Sequence, residues 1–146
     1  MYAQNVKASE QVAVLALVAP SSQAIGTSVS GWISAANFQK YLAKIQAGVL
    51  GASGTVNASF QQAQDNAGTG AKAVGVAIAP ITVNNQCALL ELDAQQLDVE
   101  GGFGFIELSV TVGTAASETS AALFGFNPRY APASAYNAAA VTQVVG

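Results

Sequence analysis

Residues 106–112 alternate strictly. Ile106, Leu108, Val110 and Val112 are apolar, and Glu107, Ser109 and Thr111 between them are polar. A period of two sends successive side chains to opposite faces, so this segment predicts a strand with one buried and one outward face. Residues 55–64 repeat the pattern, with Val56, Ala58 and Phe60 set against Asn57, Ser59 and Gln61. Two such strands need partner strands beside them and a second layer over their apolar sides.

The rest of the chain supplies the candidates. Residues 12–18 form a continuous apolar run stopped by Pro20, which predicts a strand buried on both faces or lying at a subunit contact. Residues 41–49 alternate Ala43, Ile45 and Ala47 with Lys44 and Gln46 and predict a strand despite an Ala-rich composition. Residues 74–81 are apolar but contain Pro80, so they fit a sheet edge. Residues 87–94 set Leu90 and Leu92 against Glu91 and Asp93, and residues 119–126 form a last strand. Residues 35–38 fit a helical turn capped by Ser34. The segments between are turn chemistry, as in Asp65 to Gly70, where Asp and Asn accept local backbone bonds and Gly tolerates positive φ. Short strands with turns every roughly 8–15 residues predict an all-β single domain, a β-sandwich or small barrel. The expected division is an N-terminal arm over 1–9, a body over 10–127 and a C-terminal arm over 128–146. The last segment is Ala-rich with almost no charge, and is expected to order on a neighbouring subunit.

Composition narrows the function. Charged residues make up 9% of the 146, against about 25% in a typical soluble domain. A surface so poor in charge suits a subunit whose faces are covered by others. The net charge is −3, and Lys7, Lys40, Lys44, Lys72 and Arg129 are scattered, so no nucleic-acid partner is expected. No apolar run approaches the ~18 residues of a membrane span, and no basic-then-apolar leader of the secretory kind is visible. Cys87 stands alone, which excludes an internal disulfide, and is expected to be a buried thiol in a chain made in a reducing cytosol.

Histidine is absent, which removes the commonest general base and the commonest metal ligand. Glu91 and Asp93 share a strand face but fit a solvated surface better than an acid–base pair. Asp98 and Glu100 lack EF-hand spacing, and Asp65 to Gly70 lacks the Lys-Ser/Thr of a phosphate loop. Gly101-Gly102-Phe103-Gly104 does not match the dinucleotide pattern. The chain is therefore expected to have no catalytic residue, cofactor or metal, and not to be an enzyme.

What remains is packing against other proteins. The candidate partner-binding residues are Val12, Val14, Leu15 and Leu17 in the first apolar run, Trp32, and Asn127, Pro128, Arg129, Tyr130 and Tyr136 near the end. Arg and Tyr are enriched at binding hot spots, and Pro128 and Pro132 favour an extended segment able to lie across a partner. Trp32, with Phe38 and Tyr41, fits packing in a core or interface better than a ligand platform.

The order of motifs resembles a family. Gly31-Trp32-Ile33-Ser34-Ala35-Ala36-Asn37-Phe38 is followed by Gln46-Ala47-Gly48, then by Gly54-Thr55-Val56-Asn57-Ala58-Ser59-Phe60-Gln61-Gln62-Ala63 and the Asp65 to Gly70 turn. Phe105 to Val112 comes next, then Ala121-Ala122-Leu123-Phe124-Gly125 and Pro128-Arg129-Tyr130-Ala131-Pro132. Over residues 28–132 this resembles the small head proteins that decorate or cement the capsids of tailed bacteriophages. The resemblance implies a β-sandwich-like or jelly-roll-like fold and a place on the outer surface of the virion capsid. It also implies the major capsid protein as partner, a homotrimer near local threefold axes, and no catalytic residues. The Ala-rich tail after Pro132 departs from the pattern. Two alternatives stay open: another virion component such as a head-tail connector, neck or tail subunit, and a carbohydrate- or ligand-binding sandwich using Trp32 or Tyr130 to stack on its ligand.

Overall fold

The computed structural model describes residues 4–146. A single helical turn, α1 (Ala8–Gln11), leads into nine strands: β1 (Val12–Gln23), β2 (Gly26–Val29), β3 (Ile33–Ser34), β4 (Phe38–Ala47), β5 (Thr55–Ala63), β6 (Lys72–Val74), β7 (Cys87–Asp93), β8 (Phe105–Gly113) and β9 (Ser117–Pro128). Short 3-10 turns follow β7 at Ala94–Gln96 and β9 at Ala133–Tyr136.

The strands form two antiparallel sheets, β1-β9-β4-β7 and β2-β8-β5-β6, with the short β3 also on β8. Leaving β3 aside, the first main strand pairs with the last, the second with the seventh, the third with the sixth and the fourth with the fifth. That nesting is one long hairpin. Rolling it up brings β9 against β4 and β8 against β5, the two remaining ladders. An eight-stranded antiparallel sandwich wound in this way is a jelly roll. The expected all-β sandwich is thus the observed fold.

The alternation of each strand fixes its face. Ile106, Leu108, Val110 and Val112 of β8 and Val56, Ala58 and Phe60 of β5 are buried, as their period predicts. From the other sheet, Tyr41, Ala43, Ile45, Leu90, Leu92 and Leu123 meet them. Each fully buried large side chain contributes about 1.5–3 kcal/mol. Tyr41 keeps its polar tip satisfied by donating to the Phe38 carbonyl at 3.2 Å, and burial pushes its phenol up to about 12. Ser117 and Thr119 on the inner side of β9 are also bonded: Ser117 Oγ donates to the Ala115 carbonyl, and Thr119 Oγ1 to that of Gln46.

Three segments take definite form in the structure. The stretch 74–81 holds only the end of β6, because Gly75 takes a positive φ and Pro80 interrupts the ladder, yet Ile78 and Ile81 still bond to β5 and the segment is an edge. The C-terminal segment is not a free arm throughout. Ala133 is fully buried, the Tyr136 ring stands edge-on to Phe38 at 5.5 Å, and Asn137 and Ala138 bond to Val14 of β1. An apolar segment with almost no charge covers the nearest apolar surface, here its own body. At the other end, residues 8–11 of the arm and body junction are helical, and residues 1–3 of the arm lie outside the described residues.

Candidate interaction surface

The two sheets show different outer faces. On β1-β9-β4-β7 the side chains between the inward ones are Leu17 of β1, Ala122, Phe124 and Phe126 of β9, Lys40, Leu42 and Lys44 of β4, and Leu89 and Glu91 of β7. The register sets Leu42 opposite Phe124, Lys40 opposite Phe126, and Lys44 between Ala122 and Leu89. Leu89 is 62% and Leu17 42% exposed, while Phe124, Phe126 and Leu42 are half-buried. Lys40, Leu42, Glu91, Asp93, Gln96 and Phe126 line a shallow depression at one end of this face.

On β2-β8-β5-β6 the outward residues are mostly uncharged and polar, with exposed Val29 and Ala73 and half-buried Phe105 as the apolar ones. Thr27 and Thr111 hydroxyls meet at 2.9 Å, and Gln61 donates to Ser59. Glu107 is a charged residue among them. It points away from the core, as expected, but is only 8% exposed, and burial raises its carboxyl above the usual range.

Asp65, Asp93 and Asp98 are engaged in local structure. Asp93 accepts from Lys40 Nζ at 2.7 Å and from the Gln95 amide, and both hold its carboxyl below the usual range. Asp98 accepts from Lys72 Nζ at 2.6 Å and from the Gly101 amide. Asp65 closes its turn by accepting from the Ala67 and Thr69 amides and the Thr69 hydroxyl. Among the described residues, no three His, Cys, Asp or Glu side chains are grouped to hold a metal ion.

The candidate partner-binding residues fall into two sets. Leu15 sits in a bulge of β1 and packs inward over Gly125, where an added Cβ would lie 2.8 Å from its Cδ1. Trp32 is half-buried with its indole against Gly68, where an added Cβ would lie 2.7 Å from Nε1. Tyr136 is against Phe38, Val14 is tied to the C-terminal segment, and Val12 is half-buried where β1 begins. These contacts lie within the chain. Leu17 by contrast is on the outer face. Asn127, Arg129 and Tyr130 are exposed where β9 ends at Pro128, with the Arg129 amide bonded to the Asn37 carbonyl. Tyr130 is 64% exposed.

The residues that sequence reasoning passed over are Leu42, Leu89, Phe124 and Phe126. Their signal lay in strand phase. In β9 the small residues Ala121 and Gly125 face inward with Leu123, so the two phenylalanines fall outside. Cys87 is a correction of the same kind: it is exposed, because the phase set by buried Leu90 and Leu92 turns it outward with Leu89 and Glu91.

No family model matches the chain, and no curated protein matches it in sequence. Solved structures match it in fold. A chain of the cowpea mosaic virus top component, naturally occurring empty particles, is 8% identical with a TM-score of 0.50, over 85% of this chain and 90% of that one. A chain of broad bean stain virus is 8% identical over 90% and 93% of the two chains, with a TM-score of 0.47. The C-terminal family 22 carbohydrate-binding module of Clostridium thermocellum Xyn10B is 15% identical over 84% and 88%, with a TM-score of 0.40. At such identities the likeness is one of fold, and it agrees with the strand order: this chain is a jelly roll of the kind that virus particles also contain.

Proposed function

We propose that the chain is a structural virion subunit that binds the outer surface of a bacteriophage capsid and cements adjacent copies of the major capsid protein. The observation that carries this reading is the outer face of the β1-β9-β4-β7 sheet, where Leu17, Leu42, Leu89, Phe124 and Phe126 reach the surface of a chain with only 9% charged residues. Interface cores are rich in aromatic residues and poor in charge. Leu17 on that face and Asn127, Arg129 and Tyr130 beside it are the proposed contact residues.

The role is mechanical. A cementing subunit needs area, and a standard stable interface takes about 1,600 Å². Attachment at several sites by one oligomer multiplies modest contacts into strong ones. A homotrimer near the local threefold axes of the shell, as the sequence resemblance implies, engages several capsid subunits at once. No helix of the described residues is long and apolar enough to cross a membrane, and the proposed location is the virion surface.

Light scattering on the purified protein, followed by sedimentation with undecorated phage shells, tests the reading. A trimer, or a pair of trimers, that co-sediments is the expected result. A ring of six or more chains that ignores shells overturns it in favour of a connector or tail subunit.

A further inference from the structure

The outermost strands of the two sheets differ in how their free edges are closed. β1 has two register shifts and contains Pro20, and its Val14 main chain is bonded by the Asn137 side chain and the Ala138 amide. β2 is four residues long and is separated from β3 by Gly31 at positive φ. β6 is three residues long and is followed by Gly75 at positive φ and by Pro80. Short edges, bulges, prolines, covering segments and charged side chains are the devices that keep sheets from pairing edge to edge. β7 has none of the backbone devices, and its charged residues, Glu91 and Asp93, lie toward its C-terminal end. Its seven residues contain no Gly or Pro and run against β4 in unbroken register from Asp93 to Cys87.

Antiparallel alternation shows which of its main-chain groups are free. The Ala47 amide donates to the Gln86 carbonyl, so these two residues form a hydrogen-bonded pair. Counting on in twos, Ala88, Leu90 and Leu92 bond to β4, and Cys87, Leu89, Glu91 and Asp93 turn N–H and C=O to the open side. The Asp93 amide is taken by Gln96 Oε1 at 2.9 Å. Among the described residues the outward main-chain groups of Cys87, Leu89 and Glu91 meet no partner, and Leu89, the middle one, is 62% exposed.

We propose that β7 pairs antiparallel with β7 of a second copy across a two-fold axis through Leu89, joining two four-stranded sheets into one of eight. In this register Leu89 faces Leu89 of the second copy, and Cys87 faces Glu91. All three facing pairs are of the hydrogen-bonded kind, each exchanging two main-chain bonds. Charge and the number of facing pairs select this register, since axes through Cys87 or Ala88 leave fewer than three such pairs within the strand. An axis through Glu91 sets two carboxylates face to face, which is destabilising, and an axis through Leu90 sets Leu89 against a carboxylate and spends the already bonded Asp93 amide. Through Leu89, apolar meets apolar and Glu91 meets a neutral thiol. A second copy is the fitting occupant because a two-fold contact uses the same edge twice and closes.

Disulfide trapping tests the register. In a hydrogen-bonded antiparallel pair the Cα atoms are about 5.5 Å apart, inside the roughly 4.4–6.8 Å that a disulfide spans. Leu89→Cys in a Cys87→Ser background is expected to cross-link in pairs under mild oxidation. Glu91→Cys in the same background is expected to link at least tenfold more slowly. Leu89→Pro removes only an outward N–H, which an edge strand tolerates, and is expected to halve the mass seen by light scattering, from six chains to three if the unit is a trimer or from two to one if it is a monomer. Should Leu89→Pro misfold, Leu89→Lys places like charges face to face and serves instead. Absence of the Leu89→Cys link, equal linking through residue 91, or an unchanged mass in a folded variant overturns the pairing. Shells play no part in the assay, so its outcome is separate from that of capsid attachment.

Discussion

Between the inward-facing residues, the β1-β9-β4-β7 sheet carries Leu17, Leu42, Leu89, Phe124 and Phe126 on its outer face, and the β2-β8-β5-β6 sheet carries Thr27, Thr111, Asn57, Ser59 and Gln61, with Val29 at its edge. Both faces come from the same period of two. Burying the first removes apolar area from water at about 25 cal/mol per Å². Burying the second demands that every hydroxyl and amide find a new partner, at a cost of about 1–3 kcal/mol for each that does not. The difference teaches that alternation settles which residues face out, while the chemistry of those residues settles which outer face is suited to be covered. The first sheet is also the one whose edge the C-terminal segment already covers.

The largest effect should come from stripping that cover. Deleting residues 129–146 removes buried Ala133, the Tyr136 contact with Phe38 and two bonds to Val14. We expect a loss of about 2–4 kcal/mol in urea unfolding and self-association through the bared edge of β1. Deleting only 139–146 should change stability by less than about 0.5 kcal/mol. If the long deletion were equally harmless, the segment would be an arm for a neighbour, as its composition first suggests.

A smaller effect should separate the two faces directly. Phe124→Lys places a charge amid the apolar side chains of the first sheet, and Thr111→Lys places one on the polar face of the second. Co-sedimentation with shells should fall at least tenfold for the first, as for a hot-spot loss of about 1.4 kcal/mol or more, and stay unchanged for the second. The reverse pattern would move the binding face to the β2-β8-β5-β6 sheet.

Much of this contrast was legible beforehand. The period of two in 55–64 and 106–112 placed Val56, Phe60, Leu108 and Val110 inside, where they are buried. It gave strands and a sandwich but not their pairing, because the ladder of Val12 with Phe126 joins opposite ends of the chain and leaves no local signal. Cys87 shows what was readable but missed. A thiol is usually buried, yet the phase of Leu90 and Leu92 had already turned position 87 outward. Glu107 shows the converse: its outward phase was correct, and its burial depends on neighbours brought in by the fold. The site was the less legible part. Leu15, Trp32 and Tyr136 are as apolar as an interface requires, and only three-dimensional packing shows that Gly125, Gly68 and Phe38 occupy them.

The finest test sets one carboxylate of each face against the other through pH. On the first sheet Asp93 is held below its ordinary range by Lys40, so the folded state favours the charged form. Its contribution is present above the unfolded pKa of about 3.9 and is lost as pH falls through the lower folded value. Asp93→Asn should therefore be slightly less stable than the parent at pH 7 and indistinguishable from it in acid. On the second sheet Glu107 is raised by burial, so the folded state favours the neutral form. Here the parent binds more protons folded than unfolded between the two pKa values and loses stability as pH rises from about 4.3 to the folded value. Glu107→Gln escapes that penalty, and thermal unfolding should show it more stable than the parent at pH 7 and equal to it in acid. Opposite signs at neutral pH, converging at low pH, follow only if one carboxylate is paired at the surface and the other is desolvated without a countercharge. A Glu107→Gln protein that is less stable at pH 7 would mean that the carboxylate has a favourable partner on the polar face, and the contrast between the two faces would weaken there first.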